Sequence, residues 1–194
     1  MSRTPSYLAP LAIGFVGLTG LALLTLGGSA MSPTNTDLTP PPGQPGRFFT
    51  WKEFTKSGTA SRLGIDNTPT PQAAARIRLL CSAILDPLRA HLGQPLRITS
   101  GYRHPDVNAK IKGSASRSQH MLGEAADFKV TGITAEQLAA IVVQLGLPFD
   151  QVIWYDPDRG GHVHISHTTR RANRREKLHA PSGGGYRDWS PHTS

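Results

Sequence analysis

Two short stretches of this chain hold residue types that bind metal ions. Ser118 to Asp127 reads S-Q-H-M-L-G-E-A-A-D and places His120 seven residues before Asp127. A second stretch, G-G-H-V-H-I-S, carries His162 and His164. Two histidines and one carboxylate make a three-ligand set for a catalytic zinc, with the fourth position left to water or substrate. His162 and His164 stand at i and i+2, so on a strand both rings face one side. One can then take a metal while the other stands beside it. A lone H-x-H is a weak signal, and a pair of exposed surface histidines is its plain reading. His120 and Asp127 are not at the i, i+4 spacing of a helical zinc motif. Their spacing suits a loop that turns at Gly123 and enters a strand, where small Ala125 and Ala126 permit close packing. An aspartate in such an apolar strand is costly unless paired or ligated. A salt bridge from Asp127 to Arg103, without metal, would meet the same need.

The elements that must position these residues follow from periodicity and turn signals. Thr50 and Glu53 fit a capping box that opens a short helix, just after Phe48 and Phe49 begin the foldable domain. From Gln72 to His91 apolar residues recur at helical spacing, and Pro87 within this helix is a point for a kink. Residues 96–100 alternate and read as a strand, followed by a loop holding Arg103. Residues 125–130 read as a strand carrying Asp127. Thr134 caps a second long helix, with Gln137 at the capping-box position and Gly146 past its end. Residues 149–155 and 162–166 form a β-hairpin around D-P-D-R-G-G. The expected fold is α+β: a small, mostly antiparallel sheet with helices packed on it and the zinc site on the sheet face.

The chain has 194 residues, a net charge of +8 and a pI near 10.2, which suits an anionic partner. Its one cysteine, Cys81, excludes an intramolecular disulfide and reads as a buried structural thiol. Residues 1–30 hold a long uncharged apolar run ending in a small-x-small pattern. They read as a cleaved export signal or a retained membrane anchor, and either takes the protein out of the cytoplasm. Residues 31–47 are rich in Pro and Thr and read as an exposed linker. The domain is expected over 48–169. Residues 170–194 begin with Arg170, Arg171, Arg174, Arg175 and Lys177 and read as a basic disordered tail that is either solvated or bound to anions.

Taken together, S-x-H-x-x-G-x-A-x-D and the later H-x-H resemble the zinc D-alanyl-D-alanine carboxypeptidases and related peptidoglycan peptidases. That group includes phage L-alanyl-D-glutamate endolysins, and is related to lysostaphin-type enzymes and the hedgehog fold. The resemblance spans roughly Phe48 to Ser166. It also takes in I-T-S-G-Y-R-H-P-D-V-N from Ile98 and F-D-Q-V-I-W-Y from Phe149. It implies one zinc per chain held by His120, Asp127 and His164. Arg103 matches the arginine that holds substrate carboxylate or steadies the transition state, a task its planar fork suits. Its plainer reading is a structural pair to Asp127 or to a backbone carbonyl. Ser118 is grouped with Arg103 on the substrate side and shapes the loop. Many relatives carry an acid three positions before the last ligand, where this chain has Gly161. Others carry H-x-H, and on that pattern His162 is the general base or transition-state donor. Asp156 is the reserve base, although a turn residue before Pro157 is its ordinary role.

The implied function is hydrolysis of peptidoglycan stem peptides by a monomeric, exported zinc peptidase. It would be a D,D-carboxypeptidase or an L-Ala-D-Glu type endopeptidase, with wall polymers as further partners for the basic tail. The alternative is a zinc-containing wall-binding module that keeps the fold without turnover. A nucleic-acid-binding protein is disfavoured by the export segment and by the lack of a recognition helix or stacking-aromatic motif.

Overall fold

Turn residues and caps divide the chain much as its periodicity suggests. The computed structural model describes residues 37–191. The export segment or anchor expected at 1–30, the first part of the linker and the last three residues lie outside the described residues. Helix α1 (Trp51–Thr55) starts from the Thr50–Glu53 capping box, and α2 (Gly58–Leu63) from Ser57. Thr70 caps α3 (Pro71–Leu80), whose proline at the first turn needs no intrahelical donor. The chain then runs through a π-helical turn (Cys81–Leu85) into α4 (Asp86–Leu92). The single helix expected over 72–91 is therefore three joined segments. Pro87 supplies no N–H, and the wider turn comes just before it.

Strand β1 (Arg97–Ser100) leads to α5 (Pro105–Ala109), a 3-10 turn (Gln119–Leu122) and β2 (Ala125–Lys129). Helix α6 (Ala135–Gln144) has the Thr134–Gln137 capping box and packs against β3 (Gln151–Tyr155) and β4 (Val163–Ser166). Strands β5 (Glu176–Ala180) and β6 (Arg187–Asp188) follow. The sheet order is β1-β2-β4-β3-β5-β6. The expected mostly antiparallel sheet is corrected to a mixed one, because β3 and β5 run parallel. The chain leaves β4 beside Gln151 and returns on the other side of β3, again beside Gln151. Ala126, Phe128, Val152, Val163 and Ile165 point into the core with Ile77, Leu80, Leu138 and Val142. Alternation then turns Asp127, Ile153 and His164 to the opposite face. Cys81 is fully buried, and burial pushes its thiol well up, which fits the structural role expected of it.

Two boundary expectations are corrected. Residues 170–180 are not a disordered tail. Glu124 and Asp150 are buried acids, and a buried acid needs a partner. Arg170 closes on Glu124 with bonds of 2.7 and 2.8 Å, while Arg171 and Arg174 close on Asp150. Three of the five expected free cations are thus spent inside the fold, and β5 follows directly. At the other end, the exposed linker stops at residue 43. Trp51 Nε1 donates to the Gly43 carbonyl, Pro45 and Gly46 are buried, and Asp86 accepts the N–H groups of Arg47 and Phe48.

Candidate metal centre and substrate cleft

Asp127 and His164 are cross-strand partners on β2 and β4, which fixes their side chains next to one another. His120 comes from the 3-10 turn before β2. Gly123 ends that turn at φ 72, and a Cβ there would collide with the Ala73 carbonyl of α3. Only glycine meets both conditions. These elements bring His120 Nε2, Asp127 Oδ1 and His164 Nδ1 to one point. The separations are 3.2 Å for the two histidines, 3.2 Å from His120 to Asp127 and 2.8 Å from His164 to Asp127. Tetrahedral ligands on bonds of about 2.0–2.1 Å stand roughly 3.3 Å apart, so the spacing fits a zinc-sized ion.

The tautomers point the same way. His120 Nδ1 lies 2.7 Å from the Gly101 carbonyl and must donate to it. In the neutral ring this leaves the Nε2 lone pair facing the carboxylate oxygen. Burial lowers the His120 pKa, so a second proton is a poor answer to that contact. Burial opposes the charge on Asp127, but His120 and His164 outweigh it and hold its carboxyl well below the usual range. A neutral imidazole beside an ionised carboxylate is the protonation state that binds a metal cation. Among the described residues, His120, Asp127 and His164 are the group of metal-ligating side chains that could hold an ion.

Arg103 donates from Nη2 to Asp127 Oδ2 at 2.9 Å and from Nε to Ser100 Oγ at 2.9 Å. The plain salt bridge and the ligand cluster therefore coexist: one carboxylate oxygen faces the arginine and the other faces the histidines. Arg103 and Ser118 line a cavity of ≈ 300 Å³ that also reaches all three ligands. His162 does not itself line this cleft. It stacks on Tyr155, which does, with ring centroids 4.2 Å apart and planes at 13°. Burial lowers the His162 pKa, while the nearby Asp127 charge acts against that shift. Asp156 is committed elsewhere. It accepts from His179 Nε2 at 2.8 Å and from the Ser182 N–H at 2.8 Å, and it does not line the cleft.

Several contributors were not singled out from sequence. Gly101 supplies the carbonyl that orients His120, and a Cβ at Gly101 would lie 2.6 Å from the Phe54 backbone. Its stretch I-T-S-G-Y-R belongs to the family resemblance, but a carbonyl leaves no mark in residue type. Glu124 lies inside the candidate ligand motif, and a charged residue beside two small apolar alanines is the signal of pairing that the sequence offered. Tyr186 enters the cleft from a segment whose glycines read as disorder.

No curated protein matches the chain. A family model, Peptidase M15, matches residues 47–166. That span holds Arg103, Ser118 and all three converging ligands, and through it this chain belongs to the peptidase M15 family.

Proposed function

We propose that the protein is an exported zinc peptidase that hydrolyses peptidoglycan stem peptides, as a D,D-carboxypeptidase or as an endopeptidase of the L-Ala-D-Glu type. The observation that carries the reading is the convergence of His120 Nε2, Asp127 Oδ1 and His164 Nδ1, with the His120 tautomer set by Gly101. These three residues would hold the ion. When bound, it supplies Lewis acidity and a lowered water pKa. Arg103 is fixed by Ser100 and Asp127 through Nε and Nη2, which leaves Nη1 for a carboxylate or a developing negative charge. His162, stacked on Tyr155, is the residue assigned to accept a proton and return it to the leaving amine. The net charge of +8 supports an anionic wall as the working surface, and the apolar run in residues 1–30 supports a location outside the cytoplasm.

The rival reading is a wall-binding module without turnover. It draws on Gly161, which stands where many relatives carry an acid, and on the engagement of Asp156 by His179 and Ser182. Turnover separates the two. Purified chain loaded with zinc should digest peptidoglycan, and chelator should stop it. Mass spectrometry of the fragments then names the bond. His162→Ala should lower kcat about a hundredfold while zinc stays bound. Undigested peptidoglycan with full zinc occupancy would leave the binding module as the better account.

A further inference from the structure

The family match ends at residue 166, yet part of the cleft wall comes from beyond it. Tyr186 lines the cleft from the turn that joins β5 to β6. Its hydroxyl lies 3.2 Å from the hydroxyl of Tyr155, and the two rings meet edge to face. Tyr155 stacks on His162 on one side, and the Arg159 guanidinium lies over its ring, 5.3 Å from the centroid. A single row of side chains therefore runs from His162, beside the ligand strand, through Tyr155 to Tyr186.

The turn bearing Tyr186 reads S-G-G-G-Y and has little side chain with which to hold itself. The β3–β4 turn holds it instead. Arg159 Nη1 donates to the carbonyls of Pro181 and Gly185 at 3.2 and 3.3 Å. The Ser182 hydroxyl lies 2.9 Å from Asp156 and 2.7 Å from Asp158, and the Ser182 N–H donates to Asp156. Tyr186 itself remains 56% exposed. A loop pinned at several points, yet presenting an open aromatic to a cleft, is shaped for recognition more than for packing.

We propose that Tyr186 and Tyr155 form a substrate-selecting hydroxyl pair, which donates a hydrogen bond to an oxygen of the peptide chain flanking the reacting bond. The proposal rests on the peptidase reading above. Two hydroxyls in contact use one proton between them and keep the other for an outside acceptor. Burial, and then the Tyr186 hydroxyl, push the Tyr155 phenol above its ordinary range, so Tyr155 keeps its proton across the working pH range. Asp156 is a positioning residue for this wall, acting through Ser182.

The test titrates the zinc-loaded full chain and its variants with a synthetic stem pentapeptide. Tyr186→Phe should raise KM about threefold to tenfold, the effect of one lost hydrogen bond, and Tyr186→Ala should raise it further. Asp156→Asn should raise KM in the same direction and leave the shape of the kcat pH profile intact. A KM within about twofold of wild type in both Tyr186 variants overturns the proposal. Loss of kcat with a reshaped pH profile in Asp156→Asn overturns the positioning role and makes Asp156 the base. If wild type binds the peptide without cleaving it, the peptidase reading falls alone, and the same variants are compared through calorimetric Kd. If wild type does not bind the peptide, both fall.

Discussion

The candidate ligand His120 depends on a residue outside the His120–Asp127–His164 cluster. Its Nδ1 donates to the Gly101 carbonyl, and Gly101 can sit there only because it lacks a Cβ against Phe54. Gly101→Ala should push that carbonyl away from α1, free the His120 ring to rotate and weaken zinc binding about tenfold to a hundredfold, the usual scale for an outer-shell contact. Competition with a fluorescent chelator reads this directly. Unchanged affinity would mean that Phe54 yields and the carbonyl stays. At this scale the sequence was informative where side chains carry the chemistry. His120, Asp127, His164, Arg103 and Ser118 come together as their motifs imply. It was silent where the backbone does the work, as at Gly101, and where a side chain has rival uses. Asp156 before Pro157 had the ordinary spacing of a turn residue, but its carboxylate is used at long range, on His179 of β5 and on Ser182 just after it.

Elements with strong local signals were legible too. The Thr50 and Thr134 capping boxes, the β3–β4 hairpin and β2 all lie where spacing places them. The parallel strand β5 was not, because E-K-L-H-A alternates weakly and the arginines before it look like a solvated run. Their true function depends on acids far away in sequence, Glu124 and Asp150, which no local window contains. Asp150 is fully buried, and burial raises its carboxyl, but bonds from Arg171 and Arg174 outweigh this and hold it well below the usual range. A depressed folded pKa means that the clamp contributes above the unfolded carboxylate value, about 4, and is lost as pH falls toward the folded value. Acidification below about pH 4 should therefore release β5 progressively, read as protease cleavage near residues 170–180. Asp150→Ala should release it at neutral pH and cost about 2–3 kcal/mol in urea unfolding, the range for bonds to a charged group. Equal protease resistance in wild type and variant would show that β5 is held by its ladder alone.

For the whole molecule, the foldable unit is longer at both ends than the span from Phe48 to Thr169. Asp86 takes up Arg47 and Phe48, and residues past 169 fill the β3 edge. A chain cut after residue 167 should lose stability and turnover on soluble peptide as well as on whole walls, whereas removal of residues 1–36 should leave both in place. Thermal melts and peptide turnover decide this, and full peptide activity after the C-terminal cut would return residues 168–191 to the status of a tail. The Arg170–Glu124 clamp has a further consequence, for the order in which the molecule is made. Glu124 sits between His120 and Asp127 in sequence, and it faces Arg76 at 3.5 Å from before it as well as Arg170 from 46 residues after it. A growing chain therefore releases His120, Asp127 and His164 with Arg76 already made but before Arg170, the closer of the acid's two cations. Pairings this distant form slowly. A chain ended before Arg170 would carry His120, Asp127 and His164 with Glu124 facing Arg76 alone, and would lack the parallel strand β5 on the β3 edge.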